Sequence, residues 1–204
     1  MLKFLAVGSV DYVMLAIIGI MLVLIVVMLL KNRSSSGDGN LEYAKRLETE
    51  GNFLKAKQKL LAALKTPKFK KYGLSDVYDA LSSVEFKMKN FDDAEKYAEE
   101  ALMRNSVDTA ALVMLGRVQS EKGDSQKAIE YFEKAVQIKE EADTYILIAM
   151  EYAKLADPKS ANIAVNGAQK LKYPKIREIR KEIKRIVLQK GKGAADVSDE
   201  DEDI

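Results

Sequence analysis

Two pairs of adjacent carboxylates, Asp92-Asp93 and Glu99-Glu100, are candidates for acid–base chemistry. Such pairs exchange protons with a substrate when their surroundings push their pKa values apart. Here both pairs fall at polar positions of amphipathic segments, where carboxylates are usually solvated. The 204-residue chain has no His, Cys or Trp, which excludes catalytic triads, thiol nucleophiles and Cys/His zinc sites. Phosphate-binding Gly-rich loops and calcium loops are also missing from the sequence. We predict no enzymatic activity, catalytic residue, metal, cofactor or small-molecule substrate.

An uncharged run of 19 residues at 12–30 is the most apolar stretch of the chain. As a helix it would be about 28 Å long, close to the ~30 Å hydrocarbon thickness of a bilayer. A cleaved signal peptide is the alternative, but Lys31 and Arg33 follow the run where a small-residue cleavage site would be expected. We predict a short tail at 1–11, a single uncleaved transmembrane anchor at 12–30 and a flexible Ser/Gly linker at 31–40.

The positive charges beside the anchor predict its orientation. Only Lys3 precedes the run, whereas Lys31, Arg33, Lys45 and Arg46 follow it closely. Because cytoplasmic flanks are enriched in Lys and Arg, this bias predicts that the C-terminal portion is cytoplasmic. An exported, periplasm-facing domain is the alternative.

A recurring pattern of small residues organises the rest of the chain. An Ala is followed four residues later by an apolar residue and three residues after that by another Ala. The four copies are Ala56-Leu60-Ala63, Ala94-Ala98-Ala101, Ala128-Phe132-Ala135 and Ala161-Val165-Ala168. Another small residue lies twelve positions before each copy: Ala44, Ser82, Gly116 and Ala149. Small side chains let two helices approach closely, so the repeating unit is predicted to be helix, tight turn, helix.

This pattern resembles the tetratricopeptide repeat family over residues 40–174. The third unit matches the family's consensus at Leu112, Leu115, Gly116, Ala128, Phe132 and Ala135. The fourth unit matches it at Tyr145, Ile148, Ala149, Tyr152, Ala161 and Ala168. Two departures are Glu85 and Gln119, which stand where the family usually has Tyr. The resemblance implies an all-α fold, a helical-hairpin solenoid with repeats at about 41–74, 75–108, 109–141 and 142–174.

The resemblance also implies a concave groove lined by the first helix of each repeat. The residues it places there are Asp76, Asp79, Phe86, Val113, Met114, Arg117, Ile146, Leu147 and Met150. This largely apolar set suits an amphipathic helix or peptide of a partner protein, although several members could instead be core between neighbouring helices. The clamp by which some family members bind acidic C-terminal peptides is missing. Its positions hold Asp79, Ser83, Met114, Asp143 and Leu147.

The segment after Pro174 has two chemically different faces. Its apolar residues are Ile176, Ile179, Ile183, Ile186 and Val187. Its basic residues are Arg177, Arg180, Lys181, Lys184 and Arg185. Because the last repeat of a solenoid needs its apolar face covered, we predict a capping helix at 175–190. The acidic segment 191–204 is predicted to be a disordered tail.

These expectations combine into a membrane-tethered scaffold or assembly factor that captures a protein partner in its groove. Two alternatives stay open. One is a periplasm-facing assembly factor of an envelope machine, such as a motility or secretion apparatus. The other is a binder of anionic lipid or nucleic acid through the basic face of 175–190, nucleic acid being the less expected of the two.

Overall fold

The computed structural model describes residues 14–28, 37–66 and 72–198, with side chains described as far as 190. The regular structure in these ranges is entirely α-helical, as the sequence predicted. The helices are α1 (14–28), α2 (Gly37–Thr49), α3 (Phe53–Leu64), α4 (Leu74–Lys87), α5 (Phe91–Arg104), α6 (Thr109–Glu121), α7 (Ser125–Ile138), α8 (Ala142–Lys154), α9 (Pro158–Lys170) and α10 (Ile176–Ser198).

Helix α1 covers most of the predicted anchor, and its residues are all exposed. No helix within the described ranges is both long enough and apolar enough to cross a membrane. Several predicted segments lie wholly or partly outside the described residues: the tail 1–11, anchor residues 12, 13, 29 and 30, linker residues 31–36, and residues 199–204 of the acidic tail.

The chain divides into two compact units, residues 1–72 and 73–204. In the first unit α2 pairs with α3 to form the degenerate first repeat. Helix α2 begins at Gly37, inside the segment predicted to be linker. Its first turn is held in place, because Asn40 is buried and the Asp38 carboxylate accepts a hydrogen bond from the Tyr72 backbone N–H at 3.2 Å. These contacts make residues 37–40 part of the repeat.

The second unit stacks three helical hairpins, α4–α5, α6–α7 and α8–α9. Helices α5 and α6 pack together, as do α7 and α8, so each hairpin contacts the next. The first alanine of each predicted copy is fully buried: Ala94, Ala128 and Ala161. Helices α6 and α7 approach each other closely at Gly116, where a Cβ would lie 2.4 Å from Cε1 of Phe132. The consensus pairing of Gly and Phe thus brings α6 directly against α7.

One turn geometry closes the four hairpins. In each, a backbone N–H donates to the carbonyl five residues earlier, as from Asn52 to Leu47 at 2.8 Å and from Asp124 to Gln119 at 2.9 Å. The residue just before the donor has a positive φ, Gly123 for example at 87°. This left-handed residue satisfies the last carbonyls of a helix while reversing the chain. It is what allows consecutive helices to pack side by side.

Polar residues at the two positions that usually hold Tyr are accommodated by hydrogen bonds. Glu85 is fully buried and accepts a hydrogen bond from Asn90 Nδ2 at 2.9 Å. Gln119, also buried, donates to Glu95 Oε1 at 2.6 Å. Because a buried polar group without a partner is costly, these bonds explain how the repeats tolerate the two departures from consensus.

Helix α10 packs against α8 and α9. Ile183 is buried in the same apolar cluster as Ala149, Ala153 and Val165, and the other apolar residues of its face pack against that cluster. These are the contacts expected of a capping helix. The helix continues to Ser198, eight residues into the segment predicted to be disordered. That extension includes Ala194 and Ala195, and alanine is the best helix former.

Candidate protein-binding groove

The predicted groove residues lie on the first helices of three hairpins, α4, α6 and α8. Helix α4 packs directly against α6. Residues three and four positions apart share one face of a helix, so Val113, Met114 and Arg117 lie together on α6. Leu147 and Met150 are paired in the same way on α8. We refer to these predicted groove side chains on the three helices together as the row.

An aromatic ring and a cation meet between α4 and α6. The Arg117 guanidinium lies over the Phe86 ring, 5.5 Å from its centroid. The same ring packs edge-on against Phe91, with centroids 5.6 Å apart. Arg117 is exposed and Phe86 is half-buried, so both remain accessible to a partner. A cation–π contact of this kind at an exposed site is worth about 0.5–1 kcal/mol, enough to bias the ring position.

The apolar members of the row are half-buried, as expected of side chains that contribute both to the core and to a binding surface. Val113, Leu147 and Met150 pack against the core cluster of the last two repeats while keeping part of their surface exposed. Met114 has the same intermediate exposure. These side chains thus belong partly to the core and partly to the surface, and their role in binding stays a prediction.

Two of the predicted residues have other roles. Ile146 is only 9% exposed and belongs to the core, and its placement in the groove stays a prediction. Ile146 is buried and its neighbour Leu147 is not, because successive residues of a helix point about 100° apart around its axis. Asp76 accepts a hydrogen bond from the Gly73 N–H at 2.6 Å, so its carboxylate caps the start of α4. Asp79 is half-buried on the same helix.

The predicted basic surface of α10 is exposed at all five positions. Two of its arginines bind nearby side chains: Arg180 donates to Asn166 Oδ1 and Gln169 Oε1, each at 2.9 Å, and Arg185 pairs with Glu182. The remaining residues are Arg177, Lys181 and Lys184, which make no hydrogen bond or ion pair with any residue the structure describes. Their charges are directed to solvent.

The adjacent carboxylates are surface residues. Asp92 accepts a hydrogen bond from Lys122 Nζ at 2.7 Å, and Glu100 pairs with Arg104 at the same distance. Hydrogen bonds from Lys122 to Asp92 and Glu95 raise the pKa of the lysine above its usual value. Across residues 14–28, 37–66 and 72–198, no cluster of acidic residues is arranged to hold a metal ion. The Lys122 contacts join α5 to the end of α6, whereas the Glu100–Arg104 pair lies within α5.

A second concave feature, which the sequence did not suggest, lies between α7, α8 and α9. It is a pocket of about 310 Å³ whose walls include Tyr145 and Tyr152. The Tyr145 hydroxyl donates to Glu140 at 3.2 Å and the Tyr152 hydroxyl to Glu133 at 3.4 Å. Burial, followed by the nearby glutamates, raises the pKa of both phenols. Tyr152 matched the repeat consensus, which gave no signal for a pocket beside it.

Comparison with known proteins relates part of the chain to a known repeat family. Residues 74–141 match the tetratricopeptide repeat family model. No curated protein shows significant similarity to the chain. Among solved structures, MamA is 24% identical with a TM-score of 0.60, and the match covers 72% of this chain and 86% of that one.

Two other solved structures share the fold. TTC0263, a thermophilic TPR protein of Thermus thermophilus, is 17% identical with a TM-score of 0.60, over 72% of this chain and 80% of that one. YrrB, described as a TPR protein with an unusual peptide-binding site, is 19% identical with a TM-score of 0.54, over 80% and 78%. At these identities the likeness shows a TPR-like helical solenoid.

Proposed function

We propose that this TPR solenoid is a membrane-tethered scaffold that captures an amphipathic helix or peptide of a partner protein. The observation that carries the proposal is the row of half-buried apolar side chains on α6 and α8, bordered by the Phe86–Arg117 contact. The TPR fold is one of protein–protein interaction scaffolds, which agrees with this reading. Burying such anchors under a partner commonly accounts for about 2 kcal/mol or more per residue.

Tethering is the second part of the proposal. It is supported by the uncharged run at 12–30 and by the exposure of the apolar side chains of α1 at 14–28. An anchor close to the repeats raises the effective concentration of a captured partner near other membrane components. We place the repeats on the cytoplasmic side because Lys and Arg are enriched after the run.

The groove is tested by placing charge on it without unfolding the repeats. The variant Leu147→Glu with Met150→Glu is compared with Met103→Glu, a control residue on α5 that is 71% exposed. Partners are trapped in cells by a photo-crosslinking amino acid at Met114. We expect capture to fall at least tenfold in the double variant, since desolvated anchors are lost, and to persist in the control.

Circular dichroism separates loss of binding from loss of fold. If the double variant unfolds, Leu147 and Met150 act mainly as core residues, and Arg117→Glu then tests the groove because Arg117 is exposed. Undiminished partner capture by the folded double variant and by folded Arg117→Glu would refute the proposed groove.

Orientation decides between the cytoplasmic scaffold and a periplasm-facing assembly factor. A reporter that is active only after export, fused behind Ile204, should stay silent. Reporter activity would favour the periplasmic alternative.

The exposed basic residues of α10 support the other candidate function, binding of anionic lipid or, less expected, nucleic acid. In this case neutralising Arg177, Lys181 and Arg185 to glutamine would abolish binding to anionic vesicles or to nucleic acid. Binding by wild type would also fall steeply with salt. The groove variants would have little effect on either.

A further inference from the structure

The pocket between α7, α8 and α9 is separate from the groove. We call it the tyrosine pocket and define it by Glu133 of α7, Tyr145, Ile148 and Tyr152 of α8, and Ser160 and Ile163 of α9. Along α8 its residues recur at intervals of three and four and share one face. Leu147 and Met150 lie roughly half a turn away around the same helix, at 100° per residue. The tyrosine pocket therefore opens on the side of α8 opposite to the proposed groove.

The pocket wall formed by Tyr145 depends on the glycine beneath it. A Cβ on Gly167 would lie 2.7 Å from Cδ1 of Tyr145, so the ring rests directly on the backbone of α9. Ile163 stands beside the opening with 72% of its surface exposed, a large value for an isoleucine. The pocket thus offers aromatic and aliphatic surface that no described residue covers.

The charge in and around the pocket is negative. Glu133 is part of the lining, and Glu140 is hydrogen-bonded to Tyr145. Within the part of the chain that the structure describes, neither glutamate forms an ion pair. The closest lysines in sequence have other contacts: Lys134 lies over the Tyr131 ring at 5.4 Å, and Lys139 pairs with Glu141. An occupant with a positive end would find carboxylate partners here, whereas an anionic occupant would be repelled.

We propose that the tyrosine pocket binds the side chain of a lysine or arginine presented by a segment of a partner protein. The aliphatic stem would pack against Ile148, Ile163 and the tyrosine rings, as long basic side chains do on apolar surfaces. The cationic end would bind Glu133 by a charge-assisted hydrogen bond and lie against a phenol ring. A volume of about 310 Å³ is at the lower end of ligand pockets, which suits one long side chain. The pocket is a second contact site and does not depend on the groove.

The first experiment uses a side-chain mimic. The full chain in phosphatidylcholine nanodiscs, labelled at isoleucine δ1 methyl groups, is titrated with n-butylguanidinium and, separately, with neutral n-butanol. The guanidinium should shift the signals of Ile148 and Ile163 saturably and leave unchanged that of Ile129, which is buried outside the pocket and outside the core cluster of Ile148. Butanol should bind at least fivefold more weakly, because it lacks the charge.

Matched variants test the role of the carboxylate. Glu133→Gln should weaken guanidinium binding roughly five- to tenfold, because Glu133 is exposed and the amide keeps a neutral acceptor in place of the charged one. The control is Glu130→Gln, an exposed carboxylate on the same helix that is outside the pocket; it should leave affinity unchanged. A capped pentapeptide with a central lysine should show the same dependence on Glu133 and bind better than its norleucine counterpart.

Three outcomes would overturn the proposal. They are equal binding of guanidinium and butanol, the absence of saturable shifts at Ile148 and Ile163, and equal effects of the Glu133 and Glu130 substitutions. Tyr152→Phe provides a second check, since it removes the hydroxyl bonded to Glu133 while keeping the ring. Binding should weaken less than in Glu133→Gln, and a complete loss would contradict the assigned role of the carboxylate.

Discussion

Adding one methyl group at Gly116 should destabilise the repeats, even though alanine is the better helix former. Gly116 lies within α6, where a Cβ would meet Cε1, Cδ1 and Cζ of Phe132 at 2.4, 2.6 and 2.9 Å. Real Cβ atoms do not approach other atoms so closely, so either the ring or the helix must move. Phe132 has no exposed surface, and its displacement would disturb the core on every side.

Two effects of opposite sign decide the magnitude. Replacing glycine by alanine in a helix interior favours folding by about 1 kcal/mol. Overpacking a core typically costs about 1–3 kcal/mol, and contacts this short place the substitution at the upper end. We expect a net loss of about 1–2 kcal/mol, which should lower the melting temperature by roughly 3–8 °C for a unit of this size.

Thermal unfolding of the full chain in mild detergent, followed by circular dichroism, measures this loss. The control is the same substitution in a Phe132→Leu background, where the clashing ring atoms are gone. There Gly116→Ala should be neutral or slightly stabilising, giving a coupling energy between the two sites. The reasoning is refuted if Gly116→Ala melts at or above the parent temperature, or loses the same stability in both backgrounds.

Three further predictions concern other parts of the repeats. Ala128→Leu should cost about 1–3 kcal/mol by overpacking and Ala128→Asp more, through a buried charge; unchanged melting of both would mean that this position is not in the hairpin core. Glu151→Ala should cost about 1–3 kcal/mol in denaturant unfolding, since the buried carboxylate accepts from Ser120 and Ser125 at 2.7 and 2.8 Å, whereas Glu151→Gln should cost less. Hydrogen bonds from the hydroxyl and N–H of Ser160 lower the pKa of Asp157 below its usual value of 3.8. The ionised carboxylate therefore stabilises the fold above pH 3.8, and this stabilisation is lost as the pH falls through the lowered pKa. Asp157→Asn, which can still cap α9, should flatten the acid side of the stability–pH curve and change little at pH 7; an unaltered acid limb would contradict the assignment.

The spacing of the small residues predicted the helical hairpins well, because small side chains are required where two helices approach closely. Gly116, Phe132 and Ala128 are constrained by a close approach, and such constraints leave only a few residue types at each position. The match of 74–141 to the repeat family and the all-helical solenoid were therefore predictable. The first repeat was harder to delimit, because Ser and Gly around 37–40 resemble a linker. The equal spacing of nineteen residues from helix start to first alanine, seen at Gly37, Thr109 and Ala142, was the signal that could have located α2.

Residues on the boundary between core and surface were predicted less well. Ile146 and Leu147 are adjacent, apolar and similar in size, yet only Ile146 is buried, because packing against neighbouring helices selects one direction around α8. The carboxylate of Glu151 was not recognised as a core group. Besides Lys154, three residues away, its partners are Ser120 on α6 and Ser125 on α7, which are more than twenty residues away in sequence.

The amino-acid sequence by itself determined the helical periodicity, the repeat length, the apolar run at 12–30 and the absence of His and Cys chemistry. These properties are local or recur at fixed intervals, so they can be recognised without knowing which helices meet. Only the tertiary structure decided which half-buried side chains stay accessible, which residues donate hydrogen bonds to the buried glutamates, and that three helices form the tyrosine pocket. Those features depend on the rotation and spacing of helices that are distant in sequence. They result from many packing contacts acting together, so no single sequence pattern predicts them.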